Sequence, residues 1–152
     1  MNVESTLQTL NINLPKPPAA VATYAPFVRS GNLLFIAGQG PMVDGKPKFT
    51  GKVGANVTLE QGQECAKIAC LNALAIAKQA LGSLDKVKRC VNATIWVACT
   101  ETFFEQPKVA NGATEVLKQI WGENALPARA AVGTNVLPMD IPVEVALVLE
   151  VA

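Results

Sequence analysis

Two charged residues near the end of this 152-residue chain, Arg129 and Glu144, lie in otherwise apolar, strand-like sequence. A guanidinium stays charged at any working pH and can hold a carboxylate through two parallel hydrogen bonds. A glutamate whose pKa is raised by burial can relay protons. These two residues are therefore the first candidates for a chemical role.

The chain contains no histidine, which limits the reactions that it can catalyse. Serine–histidine and cysteine–histidine nucleophile pairs, HExxH motifs and mixed Cys/His zinc sites all require imidazole. Carboxylates, lysines, arginines, thiols and the single tyrosine, Tyr24, remain for chemistry. The four cysteines, Cys65, Cys70, Cys90 and Cys99, form no CxxC pair, so we expect buried free thiols and no metal site.

The composition indicates a soluble protein with subunit interfaces. Half of the residues are hydrophobic and 16% are charged, against about 25% charged in average domains, which leaves a monomer little charged surface. The net charge of +1 argues against a nucleic-acid partner. Because the sequence shows neither a leader-like N-terminus nor an uninterrupted run of about 20 apolar residues, we expect no membrane partner and a cytoplasmic location.

The apolar periodicity predicts one α+β domain over residues 1–152, with two helices packed on one face of a single sheet. Thr58 and Gln61 form a capping box before the first helix, and Pro107 suits the first turn of the second. Residues 86–97 alternate with period two, as a half-buried strand does. The predicted elements are an extended segment at 1–17, a strand at 33–37, helices at 59–81 and 107–121, and strands at 86–97, 129–137 and 143–151.

From about Pro18 to the C-terminus, the chain resembles the Rid (reactive intermediate deaminase, YjgF-like) superfamily. The segments that carry the resemblance, in order, are PAAVATY (18–24), GNLLFIAGQ (31–39), LGSLDKV (81–87), PAR (127–129), LP (137–138) and VEV (143–145). The resemblance implies a chorismate-mutase-like fold, assembled as a homotrimer with ligand clefts between subunits. It also implies cofactor-free hydrolysis of 2-imino acids, or of their enamine tautomers, to 2-oxo acids and ammonia.

The same resemblance assigns roles to individual residues. Arg129 matches the arginine that binds the substrate carboxylate, Glu144 the acidic residue of the last strand, and Tyr24 the tyrosine of the cleft. Gly38 lies where the family offers backbone groups to the ligand, and Asn111 on the second helix is a further substrate-binding candidate. The chain departs from the family where Ala37 replaces a frequent serine, where Ala131 replaces a frequent cysteine, and in the second helix around 111–114, which lacks the usual aromatic pattern, so it resembles a divergent subgroup.

Each of these residues also has a purely structural interpretation. Arg129 is compatible with a salt bridge or an edge-strand charge, and Glu144 with a solvent-facing position on its strand. Tyr24 is compatible with core packing, the glycines around Gly38 with a simple turn, and Asn111 with a helix irregularity.

The spacing of the last two strands also makes a geometric prediction. If they pair as a hairpin centred near Asp140, Arg129 and Glu144 lie roughly 24 Å apart along it. One chain would then not bring both residues to one small ligand. We therefore expect Arg129 of one subunit to meet Glu144 and Tyr24 of another.

Three functions are consistent with these residues. The first is an imine and enamine deaminase that acts on small 2-imino acids, including 2-iminobutanoate and 2-iminopropanoate. The second is a non-catalytic trimer that binds a small carboxylate-bearing metabolite. The third, an endoribonuclease activity attributed to some relatives, is the least supported, because the chain has neither a basic groove nor a histidine.

Overall fold

The computed structural model describes residues 2–152, which form an α+β fold with one five-stranded mixed sheet and three α-helices. The strand order in the sheet is β1-β2-β7-β5-β6, and β3 and β4 form a separate two-stranded ribbon. The elements are α1 (Val3–Thr9), β1 (Phe27–Ser30), β2 (Leu33–Gln39), β3 (Met42–Val43), β4 (Lys46–Pro47), α2 (Leu59–Leu81), β5 (Val87–Ala98), α3 (Gln106–Trp121), β6 (Ala128–Thr134) and β7 (Val143–Val151). Short 3₁₀ turns lie at Leu84–Lys86, Glu123–Ala125 and Pro138–Asp140.

Helix α2 is the central element of the core, and its ends are those that the sequence predicts. The Thr58 hydroxyl accepts a hydrogen bond from the Gln61 amide, and the Gln61 side chain accepts one from the Thr58 amide, which confirms the capping box. Gly82 ends the helix in the left-handed conformation, at φ 81°. Between these ends, small apolar residues let α2 pack closely on the sheet and on α3.

The predicted hairpin between the last two strands is wrong. Strand β6 runs parallel to β5 on one side, and β7 runs antiparallel to β5 on the other side, so β5 separates them. The reason is helix α3, which connects β5 to β6. A helix of this length returns the chain to the end of the sheet at which the first strand began, so the second strand runs in the same direction as the first. The connection through Pro138–Asp140 crosses the end of β5 to reach the far side.

The expected extended segment at 1–17 begins instead with a helix, so the prediction of two helices is also wrong. The Asn2 side chain caps α1 by accepting a hydrogen bond from the Ser5 amide at 2.7 Å. Val3 and Leu7, four residues apart, bury the same face of the helix. The prolines that indicated an extended chain begin only at Pro15, so they do not prevent the residues before it from forming a helix.

All three helices lie against one face of the sheet or at its margin, and no helix of residues 2–152 covers the other face. Alternate residues of β7 are buried, whereas those between them are only partly covered. On the uncovered face Val28, Phe35 and Val132 are 55%, 44% and 42% exposed. A broad apolar surface of this kind is typical of an interaction site. In residues 2–152 no helix is both long and apolar enough to span a membrane.

Candidate functional site between Glu144 and Arg129

Glu144 lies on the uncovered face of the sheet, at the start of β7. Its cross-strand partner on β5 is Trp96, and directly opposite side chains lie next to each other on one face. On the other side, β2 carries an irregularity between Ile36 and Gln39 that gives it one residue more than β7. Gly38 lies within it, and a Cβ atom there would be 2.9 Å from Glu144 Cδ. The missing side chain of Gly38 therefore lets the carboxyl lie against the backbone of β2.

Burial raises the pKa of the Glu144 carboxyl above its ordinary value. Desolvation is the cause, because removal from water disfavours the charged form. No hydrogen bond from residues 2–152 contributes to the pKa of this carboxyl. It is thus a half-buried carboxyl that is free to exchange protons with a ligand.

The Glu144 carboxyl opens into a cavity of about 1140 Å³. Tyr24, Gly38 and Trp96 line it with Glu144, and Tyr24 is 45% exposed. Among its lining residues Lys16 is the one cation, against the carboxylates of Asp44 and Glu144. The cavity of one chain therefore favours an uncharged or cationic group over a carboxylate.

Arg129 lies elsewhere, on β6, where it contacts α3. Nη1 donates hydrogen bonds to Asn111 Oδ1 at 2.8 Å and to Thr114 Oγ1 at 3.0 Å, and Nη2 donates one to the Pro107 carbonyl at 3.1 Å. A guanidinium has five N–H donors, so one donor on Nε and one on Nη2 have no partner among residues 2–152. The side chain is exposed. Three hydrogen bonds thus fix the guanidinium, while two of its donors have no partner among residues 2–152.

Within one chain Arg129 and Glu144 do not share a site. Arg129 pairs with Ala93 of β5, a core residue on the helix side, whereas Glu144 pairs with Trp96 on the opposite face. The register separates them by three residues, roughly 10 Å along β5, and by two strand spacings, also roughly 10 Å. Neither Arg129 nor Asn111 lines the cavity. The structure thus brings Tyr24, Gly38 and Glu144 together in one place, and Arg129 and Asn111 in another.

Three of the four thiols, those of Cys65, Cys70 and Cys90, are poor nucleophiles at neutral pH. Cys65, Cys70 and Cys90 are buried, as predicted, and Cys99 is partly buried. Burial raises the pKa of Cys65 and of Cys90 to about 12, and that of Cys70 above its ordinary value, so the reactive thiolate is scarce. In residues 2–152, no three His, Cys, Asp or Glu side chains cluster as metal ligands would.

Comparisons with known proteins agree with this fold. A family model described as "YjgF/chorismate_mutase-like, putative endoribonuclease" matches residues 4–151. The chain belongs to the YjgF/Rid superfamily. It is 38% identical over 149 residues to Protein TCP17 of Trypanosoma cruzi, covering 97% of this chain and 93% of that protein.

Two solved structures resemble the chain over most of its length. The crystal structure of Atu1372, a protein of unknown function from Agrobacterium tumefaciens, is 39% identical and superposes with a TM-score of 0.90, covering 99% of this chain and 92% of that one. RidA from the Antarctic bacterium Psychrobacter sp. PAMC 21119 is 25% identical with a TM-score of 0.65, covering 90% and 94%. The chain is therefore closer in structure to Atu1372 than to this RidA.

Trp96 is the residue of this YjgF/Rid chain that sequence reasoning missed. The period-two pattern of β5 assigns Trp96 to one face of its own strand, but it does not say which residue of the adjacent strand lies next to Trp96. Its position beside Glu144 follows from the β5–β7 register, which sets residues 48 positions apart side by side. An aromatic residue on an otherwise non-core strand face was the one available signal.

Proposed function

We propose that this protein hydrolyses 2-imino acids, or their enamine tautomers, to 2-oxo acids and ammonia in clefts between three identical subunits. The observation that carries the proposal is the separation described above. A half-buried carboxyl opens into a cavity that lacks a strong carboxylate-binding group, and an arginine with two donors unpaired among residues 2–152 lies on another surface. A second copy of the chain would bring its Arg129 to the Glu144 cavity of the first copy.

The positions of these halves suit a cyclic arrangement. Arg129 lies on β6 at one edge of the sheet, and Tyr24 precedes β1 at the opposite edge. Head-to-tail contacts between unlike edges form a ring when the rotation between subunits closes, and such a ring places residues of both edges at every interface. The uncovered apolar face around Val28, Phe35 and Val132 is then buried between subunits.

The chemistry requires no cofactor. The two free donors of Arg129 hold the substrate carboxylate, and a water molecule attacks the C=N carbon. Glu144 accepts a proton from this water and passes it to the imine nitrogen, which gives a tetrahedral intermediate with a hydroxyl and an amino group. Glu144 then takes the hydroxyl proton and passes it to the amino group, which leaves as ammonia when the C–N bond breaks and the C=O bond forms. Such a relay contributes about 10²–10⁴-fold to the rate. Tyr24 lines the cavity beside Glu144, where its hydroxyl can orient the water or the nitrogen.

The direct test follows the loss of 2-iminobutanoate generated in situ, with and without the purified protein. We expect clear acceleration by the wild-type protein and near-complete loss in Arg129→Ala and Glu144→Gln. Arg89→Ala is the matched control. Arg89 Nε donates a hydrogen bond to Glu150 Oε2 at 2.9 Å, and Arg89 does not line the cavity. A wild-type rate equal to that of buffer, or full activity in Arg129→Ala, refutes the proposal. Ligand binding without turnover indicates instead a protein that binds a carboxylate metabolite.

The intersubunit cleft has a separate test. Arg129→Ala and Glu144→Gln chains are co-expressed with different tags, and mixed oligomers are purified. In a trimer that contains both chains, about one cleft in three combines an intact arginine with an intact glutamate from the other chain. We therefore expect roughly a third of the wild-type rate, whereas a site within one chain predicts no recovery. Sedimentation of the wild-type protein as a monomer also refutes the cleft.

The description of the family model includes endoribonuclease activity. The net charge is +1 and the cavity contains one cation, so neither supplies the basic groove that single-stranded RNA requires. We expect no cleavage of a single-stranded RNA substrate under conditions in which imine hydrolysis is complete.

A further inference from the structure

The size of the cavity beside Glu144 does not match a four-carbon imino acid. Its volume is about 1140 Å³, whereas cavities of about 300–1,000 Å³ already enclose drug-sized ligands. Another part of the cavity has Ile68 and Leu71 of α2 in its walls, and these residues belong to the same chain as Glu144.

The wall runs continuously from the carboxyl to α2. Gly38 contacts Glu144, as described above, and two residues later a Cβ on Gly40 would be 2.8 Å from Ile141 Cδ1. The Gly40 carbonyl in turn accepts a hydrogen bond from Asn72 of α2 at 3.0 Å. The exit of β2 therefore connects the proton-exchanging carboxyl to the helix at the far end.

The chemistry of the wall changes along this path. Around the carboxyl, Tyr24 and Glu144 provide polar groups. Towards α2 the wall is mainly apolar, and the side chains there are Met42, Ile68, Leu71, Met139 and Ile141. The cavity thus has a polar end for the reacting group and an apolar end with room for a side chain.

Trp96 lines the cavity at the Glu144 end. As the cross-strand neighbour of Glu144 it is beside the carboxyl that serves the reacting carbon. It is therefore among the first surfaces that a side chain on that carbon meets. A flat aromatic ring at this point favours an apolar substituent and provides no hydrogen-bond acceptor for a polar one.

We infer that the preferred substrates are 2-imino acids with a large apolar side chain, aliphatic or aromatic, and that Trp96 is the residue that selects them. This inference rests on the proposed deaminase function and names its substrate class. A hydrophobic pocket typically discriminates about 10–200-fold for each methylene group that it can accommodate. We expect kcat/KM to be at least about tenfold higher for the imino acids of leucine and phenylalanine than for that of alanine.

The test uses imino acids made in situ by D-amino acid oxidase with catalase from D-alanine, D-leucine and D-phenylalanine. The products carry no stereocentre at Cα, so the D-amino acids give the same imino acids as the L-forms. Oxidase is adjusted to equal rates of production, and semicarbazide traps the imino acid that escapes hydrolysis. We expect the wild-type protein to suppress semicarbazone formation most strongly with phenylalanine and leucine.

Two variants locate the selectivity. Trp96→Ala should lower the ratio of phenylalanine to alanine kcat/KM at least about tenfold, and Trp96→Phe, which keeps an aromatic ring, should retain most of it. Ile68→Trp fills the far end of the cavity and should lower the same ratio without altering the surroundings of Glu144. If Trp96→Ala fails to fold, Ile68→Trp still tests the inference. Lys118→Ala is the control for all substrates, because Lys118 is a partly exposed residue of α3 that pairs with Glu123.

The outcomes separate the two proposals. If the alanine-derived imino acid is hydrolysed as well as the others, or if both cavity variants leave the ratio unchanged, the substrate class is wrong and the deaminase function stands. If none of the three imino acids is hydrolysed, the deaminase function fails and the substrate class fails with it.

Discussion

Replacing Gly38 by alanine should displace the Glu144 carboxyl and slow imine hydrolysis about 10²-fold. The new Cβ would lie 2.9 Å from Glu144 Cδ and 3.1 Å from Oε1. Carbon atoms in contact are normally about 3.5–4.0 Å apart, so the carboxyl must move by roughly 0.6–1.1 Å. A misplacement of about 1 Å at a reacting group can cost about 10²-fold in rate.

The fold should tolerate this change. Gly38 is not one of the glycines with positive φ, so alanine adds no backbone strain there. The atoms that the new methyl group meets belong to the end of a flexible side chain. We therefore expect the free energy of unfolding to change by less than about 1 kcal/mol.

The assay measures kcat/KM for an in situ imino acid in four proteins: wild type, Gly38→Ala, Glu144→Ala and the double variant. If Gly38 acts through Glu144, the alanine at 38 should cost less than about threefold once the carboxyl is absent. An unchanged kcat/KM in Gly38→Ala contradicts the reasoning. So does a 10²-fold loss that persists undiminished in the Glu144→Ala background, since it shows that the glycine serves the ligand directly.

Three further predictions concern stability. Because the folded pKa of Glu144 is raised above the ordinary value of 4.5, Glu144→Gln should raise the melting temperature at pH 8, with the gain disappearing below pH 4.5; a gain independent of pH contradicts this. Gly112→Ala places a Cβ 2.0 Å from the Gln63 carbonyl oxygen, where α3 crosses α2. It should lower the free energy of unfolding in urea by about 1–3 kcal/mol; an unchanged free energy of unfolding contradicts the close contact between the two helices. The hydrogen bond from Lys78 lowers the pKa of Glu4, so Glu4→Gln should lower the melting temperature at pH 7 and have a smaller effect as pH falls through the folded pKa; an equal loss at pH 2 excludes this linkage.

Local sequence patterns predicted the elements that depend on neighbouring residues. The capping box at Thr58, the end of α2 at Gly82 and the alternation of β5 each involve residues close together in the chain. Helix α1 was also within reach of such reasoning. Asn2 and the pair Val3 and Leu7 are a local signal that the nearby prolines concealed.

The strand order was not within reach of local patterns. Two apolar strands separated by a short turn favour a hairpin on local grounds, yet β5 lies between β6 and β7. Strand β5 pairs with β6 on one side and with β7 on the other, and both pairings join residues far apart in sequence.

The sequence alone determined which chemistry is possible: the absence of histidine and the presence of Arg129, Glu144 and Tyr24 are properties of composition and spacing. Only the tertiary structure decided which of these groups meet. Side-chain periodicity assigns a residue to a face of its own strand, but register and strand order set its neighbours. The close approach of Glu144 to Trp96 and Gly38, and its separation from Arg129, follow from that non-local pairing.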